Sequence, residues 1–182
     1  MKSAATPEVE DRARGFFDAY DYPDWLREHS LVVGRVASVL ARAHLIADAD
    51  LDEEAVIMAA FLHDIGKSPR AHDDGDHADR SAEILRAEGL GHLAEMARRH
   101  TVYAPEDPGR APRDLAEKIV YYADRRAERR LVSLEERIAG QKARHPAYRE
   151  ALDRQLAAAR AIEREVFAGL PFGPGDLWRA FA

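Results

Sequence analysis

The sequence AAFLHDIGK, residues 59–67, ends the longest apolar run of the chain, which occupies residues 55–62. This run is far too short to cross a bilayer, and its helical pattern indicates a buried helix. His63 and Asp64 follow at the point where this apolar helix ends. Because burying such groups costs free energy unless they are paired, the junction is the first candidate for a functional site.

On both sides of this segment, apolar residues recur at helical spacing, and no stretch shows sustained strand-like alternation. The pattern therefore predicts an all-α fold. The length of 182 residues suggests one domain, 1–182, with room for a sizeable core. Helices are predicted near 8–20, 23–46, 52–64, 77–88, 91–102, 112–130, 133–140, 146–168 and 175–181.

The breaks between the predicted helices have local causes. Pro23 suits the first turn of a helix, and Asp50 is predicted to cap the helix that begins at Asp52. Three segments rich in glycine, proline or aspartate interrupt the helical periodicity, and we interpret them as loops: 66–76, 104–112 and 169–176.

Composition narrows the function further. The formal net charge is -6, which argues against an extended nucleic-acid interface. The chain has no cysteine, so any metal must be bound through nitrogen and oxygen. The amino-terminal sequence lacks an apolar stretch long enough for a signal peptide. We therefore expect a cytoplasmic protein that makes no membrane contact.

Several polar residues fall on helical stripes that are otherwise apolar. His29, for example, shares its stripe with Leu26 and Val33. Burying imidazoles and carboxylates together is favourable around divalent cations, which keep the carboxylates ionised and the imidazoles neutral. The alternative is that each is a separate structural residue, hydrogen-bonded within the core. The residues with this placement are His29, His63, Asp64, His77, His100 and Asp124.

The remaining histidines are weaker candidates. His72 rivals His77, but it falls in a loop rich in glycine and aspartate, whereas His77 begins a predicted helix that would hold a ligand more rigidly. His44, His92 and His145 are interpreted as structural or surface residues.

These residues, in this order, resemble the HD-domain superfamily of metal-dependent phosphohydrolases. The resemblance depends on His29 in REHSLVVGRVA, the His63-Asp64 pair in AAFLHDIGK and Asp124 in VYYADRRAERR, followed by LVSLEERI. It covers roughly residues 22–140 and implies a compact helical bundle of the HD-domain type. The segments before and after this core are then amino-terminal and carboxy-terminal helical extensions.

The resemblance implies a first metal site formed by His29, His63, Asp64 and Asp124, and a second that shares Asp64 and adds His77 and His100. Single-metal nucleotidases of the superfamily carry a catalytic glutamate three positions after the aspartate of the pair. This chain has Lys67 there, which resembles the two-metal branches, including dinucleoside polyphosphate hydrolases and cyclic-dinucleotide phosphodiesterases. The Gly-Tyr-Pro signature of the latter is absent. Two divalent metals are expected, iron or manganese first, with zinc, nickel, cobalt or magnesium as alternatives.

The predicted function is hydrolysis of a nucleotide or another phosphate ester or anhydride by metal-activated water. Asp64 is expected to bridge the metals and orient the water, and Lys67 to act in catalysis and hold a phosphate oxygen. Arg125 is the candidate for a further phosphate contact, with its neighbour Arg126 weighed against it. The expected partner is a small phosphorylated substrate, and both a monomer and a homodimer stay open. The alternatives are an HD-type diiron oxygenase and a non-catalytic nucleotide-binding module.

Overall fold

The computed structural model describes residues 5–47, 50–71 and 75–181. Within these ranges the chain is helical, and β geometry is limited to an isolated bridge between Ala127 and Leu131. The all-α prediction is therefore confirmed. The α-helices of the described chain are α1 (Ala5–Ala19), α2 (Asp24–Ile46), α3 (Glu53–Leu62), α4 (His77–Ala87), α5 (Ala94–Arg98), α6 (Leu115–Arg125), α7 (Leu134–Arg144), α8 (Arg149–Val166) and α9 (Leu177–Phe181).

Helix α3 lies at the centre of the bundle. Every residue from 55 to 62 is buried, which explains why this helix is apolar on all sides. Helices α1, α2, α5 and α6 pack around it. Gly34 of α2 lies directly against Phe61, and a Cβ atom at Gly34 would stand 2.1 Å from the aromatic ring. The close approach of α2 to α3 therefore requires a glycine at this position.

Two predicted helices are shorter than their sequence patterns suggested. The region 91–102 contains a 3-10 turn, Gly91–Leu93, followed by the short helix α5, so His100 lies just beyond a helix end. The region 112–130 is helical only over α6, after which the chain turns through the Ala127–Leu131 bridge. Both differences fall at helix ends, which apolar periodicity in a sequence defines poorly.

The predicted cap of α3 was also placed wrongly. The side chain of Asp52, two residues after Asp50, accepts a hydrogen bond of 2.9 Å from the Ala55 backbone N–H. Asp52 therefore satisfies one of the free donors at the start of this helix.

A 3-10 turn, Ile65–Lys67, leads from α3 to the loop before α4 and packs closely on α4. A Cβ atom at Gly66 would lie 2.2 Å from the carbonyl oxygen of His77 and 2.8 Å from the Ser81 nitrogen. The buried Ser81 hydroxyl accepts a 2.9 Å hydrogen bond from the Gly66 N–H and donates one of 2.9 Å to the His77 carbonyl. These contacts fix the start of α4 against the segment that follows His63.

The terminal helices share the core of the bundle. Apolar side chains of α1, α8 and α9, among them Phe17, Val166 and Leu177, belong to the same buried cluster as those of α2, α3 and α6. His44 Nε2 lies 2.7 Å from the Val166 carbonyl, which gives this histidine a structural partner. In the described part of the chain, no helix has both the length and the apolarity needed to cross a membrane.

Candidate metal centre

The ends of several helices meet at one buried point, where the imidazoles of His29 and His63 face two carboxylates. His29 Nε2 lies 3.3 Å from His63 Nε2 and 3.1 Å from Asp124 Oδ1. His63 Nε2 lies 3.3 Å from Asp64 Oδ2. These four side chains are almost fully buried, so they form a compact polar group inside the bundle.

A second group adjoins the first through Asp64. His77 Nε2 and His100 Nε2 are 3.3 Å apart, and they lie 3.5 Å and 3.1 Å from Asp64 Oδ1. The two oxygens of one carboxylate therefore face two different pairs of histidines. His77 begins α4, as the sequence predicted, and His100 follows α5.

The tautomers of the histidines follow from their backbone contacts. His63 Nδ1 lies 2.7 Å from the Ala60 carbonyl, and His100 Nδ1 lies 2.5 Å from the Ala97 carbonyl. Each Nδ1–H donates to a carbonyl oxygen, so each Nε2 carries a lone pair. His29 Nδ1 lies 3.3 Å from the Glu128 carbonyl and follows the same pattern. Backbone contacts of this kind commonly orient histidine ligands.

The arrangement fits a divalent metal. Lone pairs on nitrogen and oxygen point at one another, and the buried Asp64 Oδ1 has no hydrogen-bond partner. Atoms bound to one ion at about 2.0–2.2 Å are separated by roughly 3–3.5 Å, close to the spacings found here. Three sets of ligand atoms lie within 4.8 Å of one another: His29, His63 and Asp64; His63, His100 and Asp124; and Asp64, His77 and His100. The described residues thus include clusters able to hold a metal.

The electrostatics of the centre favour the neutral form of three histidines. Burial, the largest cause, lowers the pKa of His29 and of His77 to about 3 and that of His100 to about 4. Burial alone would raise the pKa of Asp64, but Lys67, His63 and His100 lower it well below its usual value. Neutral imidazoles beside an ionised carboxylate are the protonation states that metal binding requires.

Lys67 lies within the same group of charges. Its Nζ atom donates a hydrogen bond of 2.7 Å to Asp64 Oδ2, and about a third of the side chain is exposed. The ammonium group therefore stands between the buried carboxylate and the surface, where a phosphate oxygen has access to it.

Asp124 lies between two arginines. Arg125 donates to Asp124 Oδ2, and its guanidinium is buried over the Tyr121 ring. Arg137 of α7 approaches the other oxygen of Asp124 at 3.5 Å. The guanidinium of Arg126 is engaged elsewhere, since it donates to the Val132 carbonyl at 2.7 Å and to the Tyr122 hydroxyl.

The other histidines stand apart from these contacts. His92 and His145 are exposed, and His44 has the structural partner described above. His72, the rival of His77, lies outside the described residues.

The sequence model of the HD domain family matches residues 26–129, which is more than half of the chain and contains all six candidate ligands. This chain belongs to the HD domain family. Members of this family are generally metal-dependent hydrolases, and the resemblance seen in the sequence is confirmed.

Relatives of the chain cover only parts of it. An uncharacterized protein of Methanocaldococcus jannaschii is 39% identical over 108 residues, covering 53% of this chain and 63% of that protein. Ribonuclease Y of Lactobacillus gasseri and of Lactobacillus johnsonii is 38% identical over 58 residues, covering 32% of this chain and 10% of each enzyme. The chain thus spans less than two thirds of each of these relatives. No solved structure matches.

A cleft of about 320 Å³ adjoins the centre and brings in residues that the sequence analysis missed. We call it the arginine cleft; it is lined by Trp25, His29, Asp64, Lys67, Glu128, Arg129, Arg137 and Arg144. Two sequence signals were available. Trp25 precedes His29 by four residues on α2, and Arg137 and Arg144 are seven residues apart on α7, so each pair shares a helix face. Arg125, the predicted substrate contact, does not line this cleft.

Proposed function

We propose that the protein hydrolyses a phosphate ester or anhydride bond of a small phosphorylated substrate, with two divalent metals at the buried centre. The observation that carries the proposal is that the two oxygens of Asp64 face different histidines. Oδ2 faces His29 and His63, while Oδ1 faces His77 and His100. A single bridging carboxylate between two sets of imidazoles is a suitable arrangement for a pair of ions.

The residues that would hold the metals follow from these contacts. The first set is His29, His63, Asp64 and Asp124, and the second is Asp64, His77 and His100. When bound, divalent metals lower the pKa of coordinated water and neutralise charge on the phosphoryl oxygens. All the donors are nitrogen or oxygen, which favours iron or manganese, with zinc, nickel, cobalt or magnesium as alternatives.

The chain itself supplies charge around the phosphoryl group. Lys67 lines the arginine cleft, and its ammonium group donates a hydrogen bond to Asp64. There it can neutralise a phosphate oxygen as a point charge. Arg125 holds the outer oxygen of Asp124 and so restrains its orientation toward His29. Without a glutamate at position 67, the chain lacks the general base expected of single-metal relatives, which favours two metals.

The small volume of the cleft and the net charge of -6 favour a small substrate over an extended nucleic acid. Ribonuclease Y, by its name, acts on RNA, but the similarity covers only a tenth of that enzyme. Within the proposal, a nucleotide is the leading substrate class.

The test is a screen of phosphate esters and anhydrides with the reconstituted protein and with the variants Asp64→Asn and His63→Ala. We expect metal-dependent hydrolysis that both substitutions abolish, because Asp64 is shared by both groups of ligands and His63 lies against its Oδ2. The circular dichroism spectra of both variants should remain helical. His92→Ala is the matched control, since His92 is exposed and lies outside the centre. Full activity in either variant would show that the reaction does not take place at this site. A coloured, oxygen-sensitive protein inert toward every phosphate compound would favour the diiron oxygenase instead.

The number of metals is tested separately by elemental analysis after reconstitution. We expect two metals per chain in the wild type and one in His77→Ala and in His100→Ala, because the Nε2 atoms of both residues lie next to Oδ1 of Asp64. Saturation of the wild type at one metal, unchanged in both variants, would refute the two-metal arrangement.

A further inference from the structure

The arginine cleft carries more positive charge than its carboxylates neutralise. Its lining includes one lysine and three arginines, but only two carboxylates, Asp64 and Glu128. Two carboxylates outside the lining also pair with its arginines, Glu28 with Arg129 at 3.2 Å and Asp124 with Arg137 at 3.5 Å, but Asp124 is shared with Arg125. Asp64 is already occupied by Lys67 and by the histidines of the centre. Any divalent metal bound at the centre adds further positive charge beside the cleft. The cleft is therefore suited to a ligand with several negative charges.

Arg137 and Arg144 project from the same face of α7, two helical turns apart. Both share one carboxylate oxygen, since Arg137 Nη1 and Arg144 Nη2 each lie 3.7 Å from Glu128 Oε1. Gly140 lies between them, and a Cβ atom there would stand 3.3 Å from that oxygen and 3.4 Å from Arg144 Nη1. A glycine at this position leaves room for the shared contact.

These ion pairs leave donors free for another partner. Both contacts with Glu128 are longer than hydrogen bonds, and the side chain of Arg144 is 54% exposed, so its guanidinium is accessible to a ligand. An arginine presents donors in a planar fork that matches two oxygens of a phosphate group. Arg137 lies nearer the centre, 3.5 Å from Asp124, and Arg144 lies two helical turns further along α7. The two arginines form a path that leads away from the centre.

The cleft also contains one large aromatic side chain. Trp25 is 43% exposed, although it sits among charged residues and one turn before the buried His29. An exposed indole in such surroundings offers a flat apolar surface, and stacking on a nucleobase is the interaction that suits it.

We propose that Arg137 and Arg144 bind the phosphate groups of a nucleotide with at least two phosphates, and that Trp25 stacks on its base. The inference rests on the proposed function, because it places the phosphoryl group that is cleaved at the buried centre. The phosphates that are not cleaved contact α7, and the nucleoside occupies the mouth of the cleft beside Trp25.

The test measures binding by calorimetry with three probes. The probes are methylenediphosphonate, adenosine 5′-(α,β-methylene)diphosphate and adenosine, the first two of which have a bridging carbon that resists hydrolysis. The variants are Arg144→Gln and Trp25→Ala, because both side chains are largely exposed and neither is a candidate metal ligand. Matched controls are Arg164→Gln, an exposed arginine outside the cleft, and Trp178→Ala, whose exposure of 43% equals that of Trp25.

We expect Arg144→Gln to weaken binding of both phosphorus-containing probes about tenfold, since a charge-assisted contact to phosphate is lost. Trp25→Ala should weaken binding of the adenosine diphosphate analogue about tenfold and leave methylenediphosphonate unchanged. Both control variants should bind as the wild type does. Unchanged affinities in both cleft variants would overturn the proposal. An effect of Arg144→Gln alone would overturn the nucleotide assignment and indicate a substrate without a base.

These experiments distinguish a failure of the cleft proposal from a failure of the proposed function. Probe binding that depends on Arg144, in a protein that hydrolyses no phosphate compound, would support the cleft and refute the proposed function. Metal-dependent hydrolysis that Asp64→Asn abolishes, with probe affinities unchanged in both cleft variants, would support the proposed function and refute the cleft proposal.

Discussion

The two carboxylate oxygens of Asp64 lie in different surroundings. Oδ2 accepts a hydrogen bond from Lys67 and faces His29 and His63, whereas Oδ1 faces only imidazole nitrogens and has no hydrogen-bond partner. Opposed lone pairs repel one another, so this part of the centre is unfavourable without a cation. At the scale of single residues, the strongest indication of metal binding is therefore an unsatisfied oxygen.

Lys67 provides a prediction at the same scale. We expect Lys67→Met to lower kcat/KM for the preferred phosphate substrate about tenfold, because the cation beside the phosphoryl group is lost. Metal content should stay unchanged, since the histidines and carboxylates of the centre remain. Steady-state kinetics and elemental analysis check both statements. Lys142→Met is the control, because Lys142 is also a partly exposed, ion-paired lysine but lies outside the cleft. Equal kinetics in Lys67→Met and the wild type would make Lys67 a bystander.

At the scale of elements, the centre depends on how the turn after α3 meets the start of α4. Gly66 contacts the His77 backbone directly, and Ser81 joins the two segments through two hydrogen bonds. Asp76 caps α4, accepting from the Ala78 and Asp79 backbone N–H groups. These contacts place His77 opposite Asp64, so the second group of ligands depends on backbone packing as well as on side chains.

Gly66→Ala should therefore separate the two groups of ligands. Its Cβ would meet backbone atoms of His77 and Ser81, so we expect α4 to shift and the protein to lose about 1–3 kcal/mol of stability. The metal content should fall from two per chain toward one, because His29 and His63 lie on other elements. Gly15→Ala is the control, since a Cβ there meets nothing within 4 Å. Chemical denaturation and elemental analysis measure both effects. Wild-type stability and metal content in Gly66→Ala would contradict this account.

At the scale of the whole molecule, the buried histidines make stability depend on pH. The folded-state pKa values of His29 and His77 are about 3 and that of His100 about 4, whereas an unfolded histidine has a pKa of about 6.5. Between these values the unfolded chain binds more protons than the folded chain. The contribution of these histidines to stability is therefore fully present above about pH 6.5 and decreases as the pH falls from 6.5 to about 3.

We expect the metal-free protein to lose up to about 1.4 kcal/mol of unfolding free energy per pH unit for each of these histidines below pH 6. Denaturant titrations after chelation, at a series of pH values, measure the slope. His29→Gln should make it shallower, while His145→Ala should not, because His145 is exposed. Bound metal should raise stability at each pH because it binds only the folded chain. A flat profile between pH 4 and 6.5 would show that the buried histidines do not behave as described.

The sequence by itself determined the fold class and the identity of the residues that meet at the centre. A polar side chain on an apolar helical stripe must face the core, and this reasoning holds for His29 without knowledge of its neighbours. The same reasoning brought together His63, Asp64 and Asp124, although their role as ligands stays a prediction. The reason is that helical periodicity is a local property of the chain.

Only the tertiary structure decided the relations between elements. The resemblance implied that Asp64 is shared between two pairs of histidines, but the sequence could not show which oxygen faces which pair, or that Asp52 rather than Asp50 caps α3. Arg125 and Arg126 are adjacent in sequence, but one contacts Asp124 and the other a carbonyl, because packing around each guanidinium selects its direction. The arginine cleft was missed because its lining comes from α2, α7 and the turns between helices. Helical spacing relates Trp25 to His29 and Arg137 to Arg144, but no sequence signal links the two pairs, since only the packing of distant helices places them together.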